Sequence, residues 1–456
     1  MKLRKIAQIG VAALLALSMT ACGGGGAASS GGGGTAASGG GDASSGGSGS
    51  ADGGDKITVN IWDNNQLAGI QQIADEWSKE SGIAVQINVV DWDNYWTLLE
   101  AGASGGQMPD VFWMHSNTAQ MYMENDLLLK LDDYIAKDDA IDLSNYYDGI
   151  VKLYSSNGSQ YALPKDHDTI ALLYNQKIFD QYGVETPTDD WSYENLRDAA
   201  AKITEASGGD VYGFAMNTSN NQDSWYNFIY AYGGQIVTDD HKGTTIGGPE
   251  SKAGMEMARQ VLEVSAPQSV VAETGTDSLF QSGKVAMIMQ GSWMINAFYQ
   301  AENHADYKWA MIPYGDKNGN GQCDDGERMS CYNGLGWAAS AATKNPDACY
   351  SLISHFCDEA GQKKQAELGV TMGGMKGISD SFSSAFEGMD VSPFVRVETE
   401  GTLYFRPYTR NTTVWEDAIQ QQGAFLDAWQ NPTDPAIMSG ACDAAQKIIE
   451  DAIANE

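Results

Sequence analysis

Short runs in which apolar and polar residues alternate are separated along the chain by stretches in which apolar residues recur at helical spacing. Residues 57–61 and 85–89 alternate with a period of two, which predicts strands. Between them, a helical stripe that includes Trp77 predicts a helix packed on the core. Residues 94–103 predict a second helix, and a third strand begins within residues 109–113. This alternation of strands and helices predicts an α/β fold.

Two later helices are marked by the residues at their starts. Ser192 is predicted to be an N-cap, and Pro346 is predicted to open the helix that carries Cys349. Cys357 falls eight residues further along the same helix, roughly 12 Å away, which is beyond disulfide reach. These two cysteines are therefore not expected to form a disulfide with each other.

Two other cysteines, Cys323 and Cys331, are close enough in sequence to bridge a loop. Five cysteines follow Cys22, so at least one thiol is expected to be free. The chain has no C-x-x-C motif, which argues against zinc ribbons and thioredoxin-like redox chemistry.

The first 22 residues have the pattern of a secretory signal. Three basic residues precede an apolar run at residues 6–16, which is too short to span a bilayer. The run leads into Met19-Thr20-Ala21-Cys22, which resembles a bacterial lipobox, although Met19 stands where that motif usually has Leu. The resemblance implies that residues 1–22 are a lipoprotein signal peptide and that Cys22 is lipidated. The alternative is an ordinary signal peptide cleaved near Ala21.

Residues 23–55 are mostly Gly, Ser and Ala, a composition that predicts a flexible linker. A coil of this length would place the folded part about 30 Å from the bilayer. These features predict a protein anchored by lipid to the extracellular face of the cell membrane, in an arrangement that resembles Gram-positive lipoproteins.

Beyond the linker about 400 residues remain, which is more than one hydrophobic core holds, so two lobes are expected. Of all 456 residues, 42% are hydrophobic and 10% aromatic, as in a globular protein. The 60 acidic and 27 basic residues give a net charge of −33. That charge repels phosphate backbones, so the chain is predicted not to bind nucleic acid.

Several segments together resemble the family 1 extracellular solute-binding proteins of ABC importers, the group that includes maltose-binding proteins. The resemblance covers most of residues 56–450. It is carried by the order and spacing of five segments, which are Ile57-Thr58-Val59-Asn60-Ile61-Trp62-Asp63, Gly106-Gln107-Met108-Pro109-Asp110-Val111-Phe112-Trp113, Tyr161-Ala162-Leu163-Pro164 running to Leu173-Tyr174-Asn175, Phe280-Gln281-Ser282-Gly283-Lys284 running to Gln290-Gly291-Ser292-Trp293, and Asn333-Gly334-Leu335-Gly336-Trp337.

The resemblance implies a two-lobe fold of the periplasmic-binding-protein type (type II), with a ligand cleft between lobes joined by a hinge. Residues 56–167 and about 338–375 would form the N-terminal lobe. Residues from about 168 to 337 and 376–456 would form the C-terminal lobe. The resemblance also implies that the protein is a monomer, captures a sugar or oligosaccharide and delivers it to the permease subunits of an ABC transporter.

A sugar site needs flat aromatic platforms and a few carboxylate or amide acceptors, and loops after strand ends face such a cleft. Polar and aromatic residues follow each of the first three strands. The candidates are Trp62, Asp63, Asn64, Trp92, Asp93, Trp113, His115 and Ser116. The alternative for each tryptophan is a packing role in the core.

The family resemblance also implies ligand contact for Trp225, Trp293 and Trp337. Asp168 follows a proline-containing segment at the expected first crossover between lobes, where its carboxylate would reach the solute, and the alternative is a structural hydrogen bond in the hinge. Arg396, Arg406 and Arg410 lie in an aromatic-rich stretch, and one of them, with Arg406 as the candidate, would donate to ligand oxygens, although surface ion pairing explains these arginines as well.

Residues 316–327 match the D-x-[DN]-x-[DN]-G-x5-E pattern of an EF-hand calcium loop. Oxygen ligands at this spacing converge on a hard cation, and Gly321 permits the sharp turn. The predicted ligands are Asp316, Asn318, Asn320, Gln322 through its carbonyl, Asp324 and Glu327. No flanking helices are evident, so the prediction is an isolated structural Ca²⁺ loop, and the alternative is a polar loop without metal.

The sequence contains no H-E-x-x-H motif and no Walker loop, so it gives no positive evidence for catalysis. A solute-binding lipoprotein that is not an enzyme is therefore the first hypothesis. A cell-surface glycoside hydrolase is the second, because Asp63 and Asp168 could act as a carboxylate pair. A binding protein for a polar solute other than a sugar is the third. A polysaccharide-adhesion or sensory lipoprotein is the fourth, and it would require a dedicated flat β-module, which the sequence does not show.

Overall fold

The structure, a computed structural model, describes residues 56–420 and 423–456, without the side chain of Asp93. The predicted signal peptide, Cys22 and the linker lie outside the described residues. No helix within the described ranges is both long and apolar enough to cross a membrane.

Fifteen strands lie within the described residues. In chain order they are β1 (Lys56–Ile61), β2 (Ala84–Val89), β3 (Val111–Met114), β4 (Ser155–Ser156), β5 (Ser159–Gln160), β6 (Ala162–Pro164), β7 (Asp166–His167), β8 (Ile170–Asn175), β9 (Tyr212–Ala215), β10 (Val285–Gly291), β11 (Tyr307–Met311), β12 (Met329–Tyr332), β13 (Gly336–Ala339), β14 (Met372–Gly373) and β15 (Thr402–Phe405).

Nineteen α-helices lie in the same part of the chain. They are α1 (Leu67–Ser81), α2 (Trp92–Gly105), α3 (Ala119–Glu124), α4 (Asp132–Ile135), α5 (Asp148–Leu153), α6 (Gln176–Tyr182), α7 (Tyr193–Ala206), α8 (Trp225–Ala231), α9 (Pro249–Glu263), α10 (Gln268–Thr274), α11 (Thr276–Gln281), α12 (Ile295–Tyr299), α13 (Pro346–Cys357), α14 (Glu359–Glu367), α15 (Ser379–Ser383), α16 (Ser392–Glu400), α17 (Thr412–Ile419), α18 (Leu426–Gln430) and α19 (Pro435–Ala454).

The first lobe is built on a five-stranded sheet in the order β2-β1-β3-β13-β6. β1 pairs in parallel with β2 and β3, as expected for strands joined by helices. In β1, Ile57, Val59 and Ile61 are fully buried while the residues between them are partly exposed, so the period-two prediction is confirmed. The third strand begins at Val111, because Pro109 has no N–H to donate to a sheet.

The second lobe is built on a four-stranded sheet in the order β11-β8-β10-β9. β10 pairs in parallel with β9 and antiparallel with β8. Every residue of β8 and β10 is buried, because helices cover both faces of this sheet. This full burial explains why both strands read as continuous apolar runs.

The chain crosses from the first sheet to the second at residues 165–169 and returns near residue 333. The two crossings lie side by side, since Asp168 forms a bridge with Asn333, and β7 pairs with β14 close by. Two lobes joined by neighbouring strands form a hinge. The predicted α/β two-lobe fold is confirmed.

The predicted helix starts are also confirmed. Ser192 caps α7 and forms a capping box with Asn195, and Pro346 occupies the first turn of α13. α13 contains both Cys349 and Cys357, which are free, as are the other cysteines of the described residues. Cys331 is buried in the second lobe, and burial raises the pKa of its thiol.

Candidate functional site

A cavity of about 580 Å³ lies between the two lobes. The first lobe contributes Trp62, which follows β1, and His115, which follows β3. The second lobe contributes residues 219–222, which follow β9, and Trp293, which follows β10. Asp168 lines the cavity from the crossing between the lobes. The cavity therefore lies where strands of both sheets end, which is the position expected for a ligand in an open α/β sheet.

Seven of the side chains predicted to contact the ligand line this cavity. They are Trp62, Asp63, Trp92, His115, Asp168, Trp293 and Arg406. Asn64 is exposed and lines a separate surface groove along α1. Ser116 is fully buried, and its Oγ accepts a hydrogen bond of 3.3 Å from Arg406.

Three predicted contacts are wrong in position, because Trp113, Trp225 and Trp337 are 0% exposed and lie in the hydrophobic cores. The indole of Trp337 stacks on Phe356 with ring centroids 4.5 Å apart, on the helix side of the first sheet. Trp225 opens α8 and packs against Phe425. A tryptophan in a strand or helix that is covered on both sides has no path to the cleft, whatever its place in the sequence.

Trp62 forms the aromatic wall of the first lobe. Its ring packs edge to face against Trp92, Tyr95 and Trp113, with ring centroids 5.2, 5.0 and 4.9 Å apart. Tyr95 is in turn held by a 2.9 Å hydrogen bond to the carbonyl of Trp113. These contacts fix the orientation of the Trp62 indole before any ligand arrives, which lowers the entropic cost of stacking.

Trp293 belongs to the second lobe and is positioned by the glycine two residues before it. A Cβ atom on Gly291 would lie 2.0 Å from the Trp293 ring, closer than any contact that atoms tolerate. Gly291 therefore allows the indole to fold back over the end of β10 at the cavity wall. The short Gly-Ser-Trp sequence is a signal for this arrangement.

The carboxylate of Asp168 has one oxygen engaged and one available. Its Oδ1 accepts hydrogen bonds from Gln222 Nε2 at 2.6 Å and from the backbone N–H of Asn333 at 3.2 Å. Its Oδ2 makes no hydrogen bond within the part of the chain that the structure describes. One oxygen therefore makes the structural hydrogen bond in the hinge that was given as the alternative, and contact of the other oxygen with a solute stays a prediction.

Burial, followed by the nearby charge of Asp166, raises the pKa of the Asp168 carboxyl to about 8. The folded protein then keeps a proton that the unfolded chain loses near its ordinary pKa of about 4. Since the folded state binds more protons, this group makes stability fall as the pH rises from about 4 to about 8.

Replacing Asp168 by Asn should remove this dependence. Relative to the native protein, Asp168→Asn is expected to gain roughly 1–2 kcal/mol of stability at pH 8 and little at pH 4, because the carboxyl is partly open to the cavity. Urea unfolding at several pH values measures this difference. Parallel curves of stability against pH for the two proteins would show that the pKa of the Asp168 carboxyl is not raised in the folded protein.

Arg406 is locked in a buried ion pair beside the cavity. Its Nη2 lies 2.6 Å from Glu416 Oε1, and the two side chains are 3% and 4% exposed. The same Glu416 oxygen accepts from Asn221 and from the hydroxyl of Tyr226. Arg406 Nε is buried and has no partner among the described residues, so it is available to donate to a ligand oxygen.

His115 lies beside Arg406 on the first-lobe wall. Burial, and then the positive charge of Arg406, lower its pKa well below the usual range, so the imidazole is neutral at physiological pH. Its Nδ1 accepts from the backbone N–H of Asn117. The cavity thus has neutral and acidic polar groups on its walls, and its one arginine is already paired with a carboxylate.

Sequence reasoning missed several cavity residues, among them two groups. The first is the loop 219–222 between β9 and α8, whose amides include Asn221 and Gln222. Trp62 was predicted because residues that follow the end of a strand face the cleft. This strand-end rule would also have found the loop, since the loop follows a buried strand. The second group, Glu416 and Asp417 on α17, carries no such signal.

Comparison with known protein families identifies the class of protein to which the chain belongs. Residues 62–363 match the family of bacterial extracellular solute-binding proteins. The chain belongs to that family. In this solute-binding protein the matched region begins directly after β1. It contains the other four strands of the first sheet and the whole of the second sheet.

The relatives of this solute-binding protein are distant. A putative binding protein of Brucella abortus is 24% identical over 250 residues, which is 54% of this chain and 59% of the relative's length. A maltooligosaccharide ABC transporter solute-binding lipoprotein of Streptococcus pneumoniae is 23% identical over 324 residues, covering 68% of this chain and 69% of that protein. A maltotriose-binding protein of Pyrococcus abyssi is 26% identical over 322 residues, covering 68% and 64%.

Solved structures share the fold. The GacH receptor of Streptomyces glaucescens, solved unliganded and with acarbose, has a TM-score of 0.71 at 21% identity, covering 88% of this chain and 100% of that one. An ABC substrate-binding protein of Listeria monocytogenes in complex with cycloalternan has a TM-score of 0.70 at 20% identity, covering 88% and 97%. These likenesses place this solute-binding protein in the two-lobe fold.

Proposed function

We propose that this protein captures a sugar or oligosaccharide outside the cell and delivers it to the permease of an ABC importer. The observation that carries the proposal is the inter-lobe cavity of about 580 Å³ with Trp62 on one lobe and Trp293 on the other. Indole faces suit the C–H faces of a pyranose ring, and a cavity of this size lies within the range that binds small ligands. The relatives named for maltooligosaccharide and maltotriose support a saccharide as the ligand class.

The polar groups of the cavity support the same class. Sugar hydroxyls both donate and accept, so they need amides, carboxylates and a guanidinium within reach. The free Oδ2 of Asp168, the amide of Asn220 and the unpartnered Nε of Arg406 provide acceptors and donors on the hinge and the second lobe. Closure of the two lobes about the hinge would bury the sugar and create the form that the permease recognises.

Calorimetric titration of the protein against a panel of neutral oligosaccharides tests this function. Binding of at least one glycan is expected at micromolar or tighter affinity, on the order of −8 kcal/mol. The bound glycan should be recovered intact after prolonged incubation. Cleavage products would favour a glycoside hydrolase instead, and binding only of polar solutes that are not sugars would favour the third hypothesis.

The N-terminal features belong to the same proposal. We infer that Cys22 carries the lipid anchor and that the protein stays on the extracellular face of a Gram-positive cell membrane. The lipobox-like segment at residues 19–22 and the Gly/Ser-rich linker support this location. Replacing Cys22 by Ser should move the protein from the membrane fraction into the medium, and unchanged membrane association would contradict lipidation.

We also propose that the loop at residues 316–327, between β11 and β12, binds Ca²⁺. The motif supports this, and the carboxylate of Asp316 already accepts from the backbone N–H of Asn320 and of Gly321, as the sharp turn requires. Glu327, the predicted closing ligand, is 1% exposed. The described residues contain no ready group of three or more His, Cys, Asp or Glu around one point, so the loop would have to rearrange.

Part of the rearrangement concerns two amides, whose nitrogens now stand where oxygens are needed and whose oxygens accept from the backbone N–H groups of Asn320 and Gln322. Asn318 Nδ2 and Asn320 Nδ2 donate to Asp324 Oδ2 at 2.7 and 2.9 Å. Turning both amides over would present their oxygens to a cation. Residues of this loop would hold the ion, which would stiffen the connection between the two strands.

Ca²⁺ at 100 times its dissociation constant should therefore stabilise the protein by about 2.7 kcal/mol. Thermal unfolding with and without Ca²⁺ measures the effect. The Glu327→Gln variant should lose it, while Asp325→Asn, which changes a neighbour outside the ligand set, should keep it. An unfolding temperature of the native protein that does not change when Ca²⁺ is added would reject the site.

A further inference from the structure

Acidic side chains outnumber basic side chains in the lining of the inter-lobe cavity. Five carboxylates and one guanidinium line it, and these side chains are Asp63, Asp166, Asp168, Glu416, Asp417 and Arg406. Two of the acids are balanced by basic residues. Glu416 is paired with Arg406, and Asp166 Oδ2 lies 2.5 Å from the buried ammonium of Lys165.

The other three acids, Asp63, Asp168 and Asp417, form no ion pair with any described residue. His167, which also lines the cavity, is paired with Glu398, 2.9 Å from its Nε2, and its charge offsets only part of the rise in the pKa of Asp168. Asp63 accepts only from the neutral groups of its own turn, the Asn65 N–H and the Gln66 amide. No basic side chain of the described residues is therefore already ion-paired with these three carboxyl groups.

A further acidic side chain lies in the wall behind the cavity. Asp223, on the loop before α8, is 2% exposed, and its Oδ1 has no hydrogen-bond partner among the described residues. Burial raises the pKa of its carboxyl, and Asp277 and Asp168 raise it further. Burial is the larger cause of this shift, and the two neighbouring carboxyl groups add to it.

We propose that the cavity selects saccharides that carry a protonated amine over their neutral counterparts and excludes those that carry a carboxylate or a sulfate. This inference rests on the proposed saccharide-binding function and concerns only the charge of the ligand. An ammonium group is a compact cation with three donors, so it can bridge the free Oδ2 of Asp168 and neighbouring hydroxyl or amide oxygens. A ligand carboxylate would meet no unpaired cation on these walls.

Arg406 does not reverse this preference. Its Nε is free to donate to a hydroxyl oxygen, but its charge is already matched by Glu416 at 2.6 Å. Releasing Glu416 to admit an anion would leave a second carboxylate buried without a partner. The guanidinium therefore serves a neutral oxygen better than an ionised one.

Proton release gives an independent sign of the same site. Asp168, whose pKa is about 8, holds its proton at pH 7 in the free protein. An ammonium beside the carboxyl favours its ionised form, so binding an amine should release a proton, whereas binding a neutral sugar should not. Calorimetry in buffers of different ionisation enthalpy measures the number of protons released.

The test uses a matched series built on the neutral disaccharide that binds most tightly in the oligosaccharide panel. Its members are that disaccharide, its 2-amino-2-deoxy counterpart, the N-acetylated form of that amine and the uronic acid counterpart. At pH 7 and low salt the amine should bind at least tenfold more tightly than the neutral sugar. The uronic acid should bind at least tenfold more weakly, and the N-acetylated form should lose the gain of the amine.

Variants locate the effect. Asp168→Asn and Asp417→Asn should each reduce the ratio of amine affinity to neutral affinity at least threefold. Asp139→Asn removes one exposed carboxylate outside the cavity and controls for the overall charge of the protein, so it should leave the ratio unchanged. Added salt should reduce the differences in affinity between members of the series, because screening weakens charge effects more than hydroxyl contacts.

The outcomes separate this inference from the function on which it rests. If no neutral disaccharide or longer glycan binds, the saccharide-binding function fails. If neutral sugars bind but the uronic acid binds as well as they do, or the amine binds no better, only the charge selectivity is overturned. The charge selectivity is also overturned if Asp139→Asn changes the ratio as much as Asp168→Asn does.

Discussion

Replacing Arg406 by Ala should destabilise the protein by about 3–5 kcal/mol, the largest effect expected from a single substitution outside the hydrophobic cores. The substitution leaves the Glu416 side chain, which is 4% exposed, without its basic partner and with only Asn221 and Tyr226 donating hydrogen bonds to it. Burying an unpaired charge costs far more than losing the pair, because the desolvation penalty is no longer offset by an opposite charge. Urea unfolding monitored by tryptophan fluorescence measures the loss.

An exposed arginine provides the matched control. Arg396 pairs on the surface with Glu400 and Asp189, with side chains 37%, 51% and 38% exposed, so Arg396→Ala should cost no more than about 2 kcal/mol, at most about 1 for each exposed pair. A second variant separates charge from packing. Replacing Arg406 by Met and Glu416 by Leu together should recover most of the stability lost in Arg406→Ala, since neither side chain then carries a charge. Equal losses in Arg406→Ala and Arg396→Ala would show that the pair is not buried in solution.

Replacing Trp293 by Ala should weaken saccharide binding by more than tenfold. The substitution removes the indole platform of the second lobe, and stacking of this kind is lost without any compensating contact. A tenfold loss corresponds to about 1.4 kcal/mol, which is modest for an aromatic ring that is covered on closure. Calorimetric titration with the tightest oligosaccharide of the panel measures the change.

Trp191→Ala is the control for this experiment. Trp191 is also partly buried and packs on the second lobe, with its ring centroid 6.4 Å from that of Phe179, but it does not line the cavity. Its loss should lower stability and leave the affinity within about twofold. Unchanged affinity in Trp293→Ala, with native stability, would remove this indole from the binding site.

The strand-end rule correctly located part of the cavity from sequence. Trp62, Asp63 and His115 follow parallel strands of the first sheet, and the ends of such strands meet at one edge. The rule needs only local periodicity to find the strands, and the pattern of apolar residues in β1 to β3 is unambiguous. The fold class follows from the same periodicity.

The rule failed where burial depends on the second layer of the fold. Trp113 lies within β3 of the same sheet, is fully buried, and has its ring centroid 4.6 Å from the Lys165 ammonium. The two indoles are in contact with each other, but only Trp62, which lies beyond the end of its strand, reaches the cavity. Single-sequence reasoning does not supply the covering helices.

Glu416 and Asp417 were missed for a related reason. They lie on α17, about 250 residues from Asp168 in sequence, and reach the cavity because α17 packs against the C-terminal helix α19. Nothing in the local sequence distinguishes these acids from the many solvent-exposed ones of a chain with 60 acidic residues. Such contacts follow from tertiary packing alone.

The central claim is that a saccharide is held between the two lobes. A crystal structure of the protein with the tightest glycan of the panel tests it most directly. The glycan should occupy the cavity, with sugar rings in van der Waals contact with Trp62 and Trp293 and a hydroxyl or amine within hydrogen-bonding distance of Asp168 Oδ2. A glycan bound elsewhere on the surface, with the cavity between the lobes filled only by water, would contradict the account.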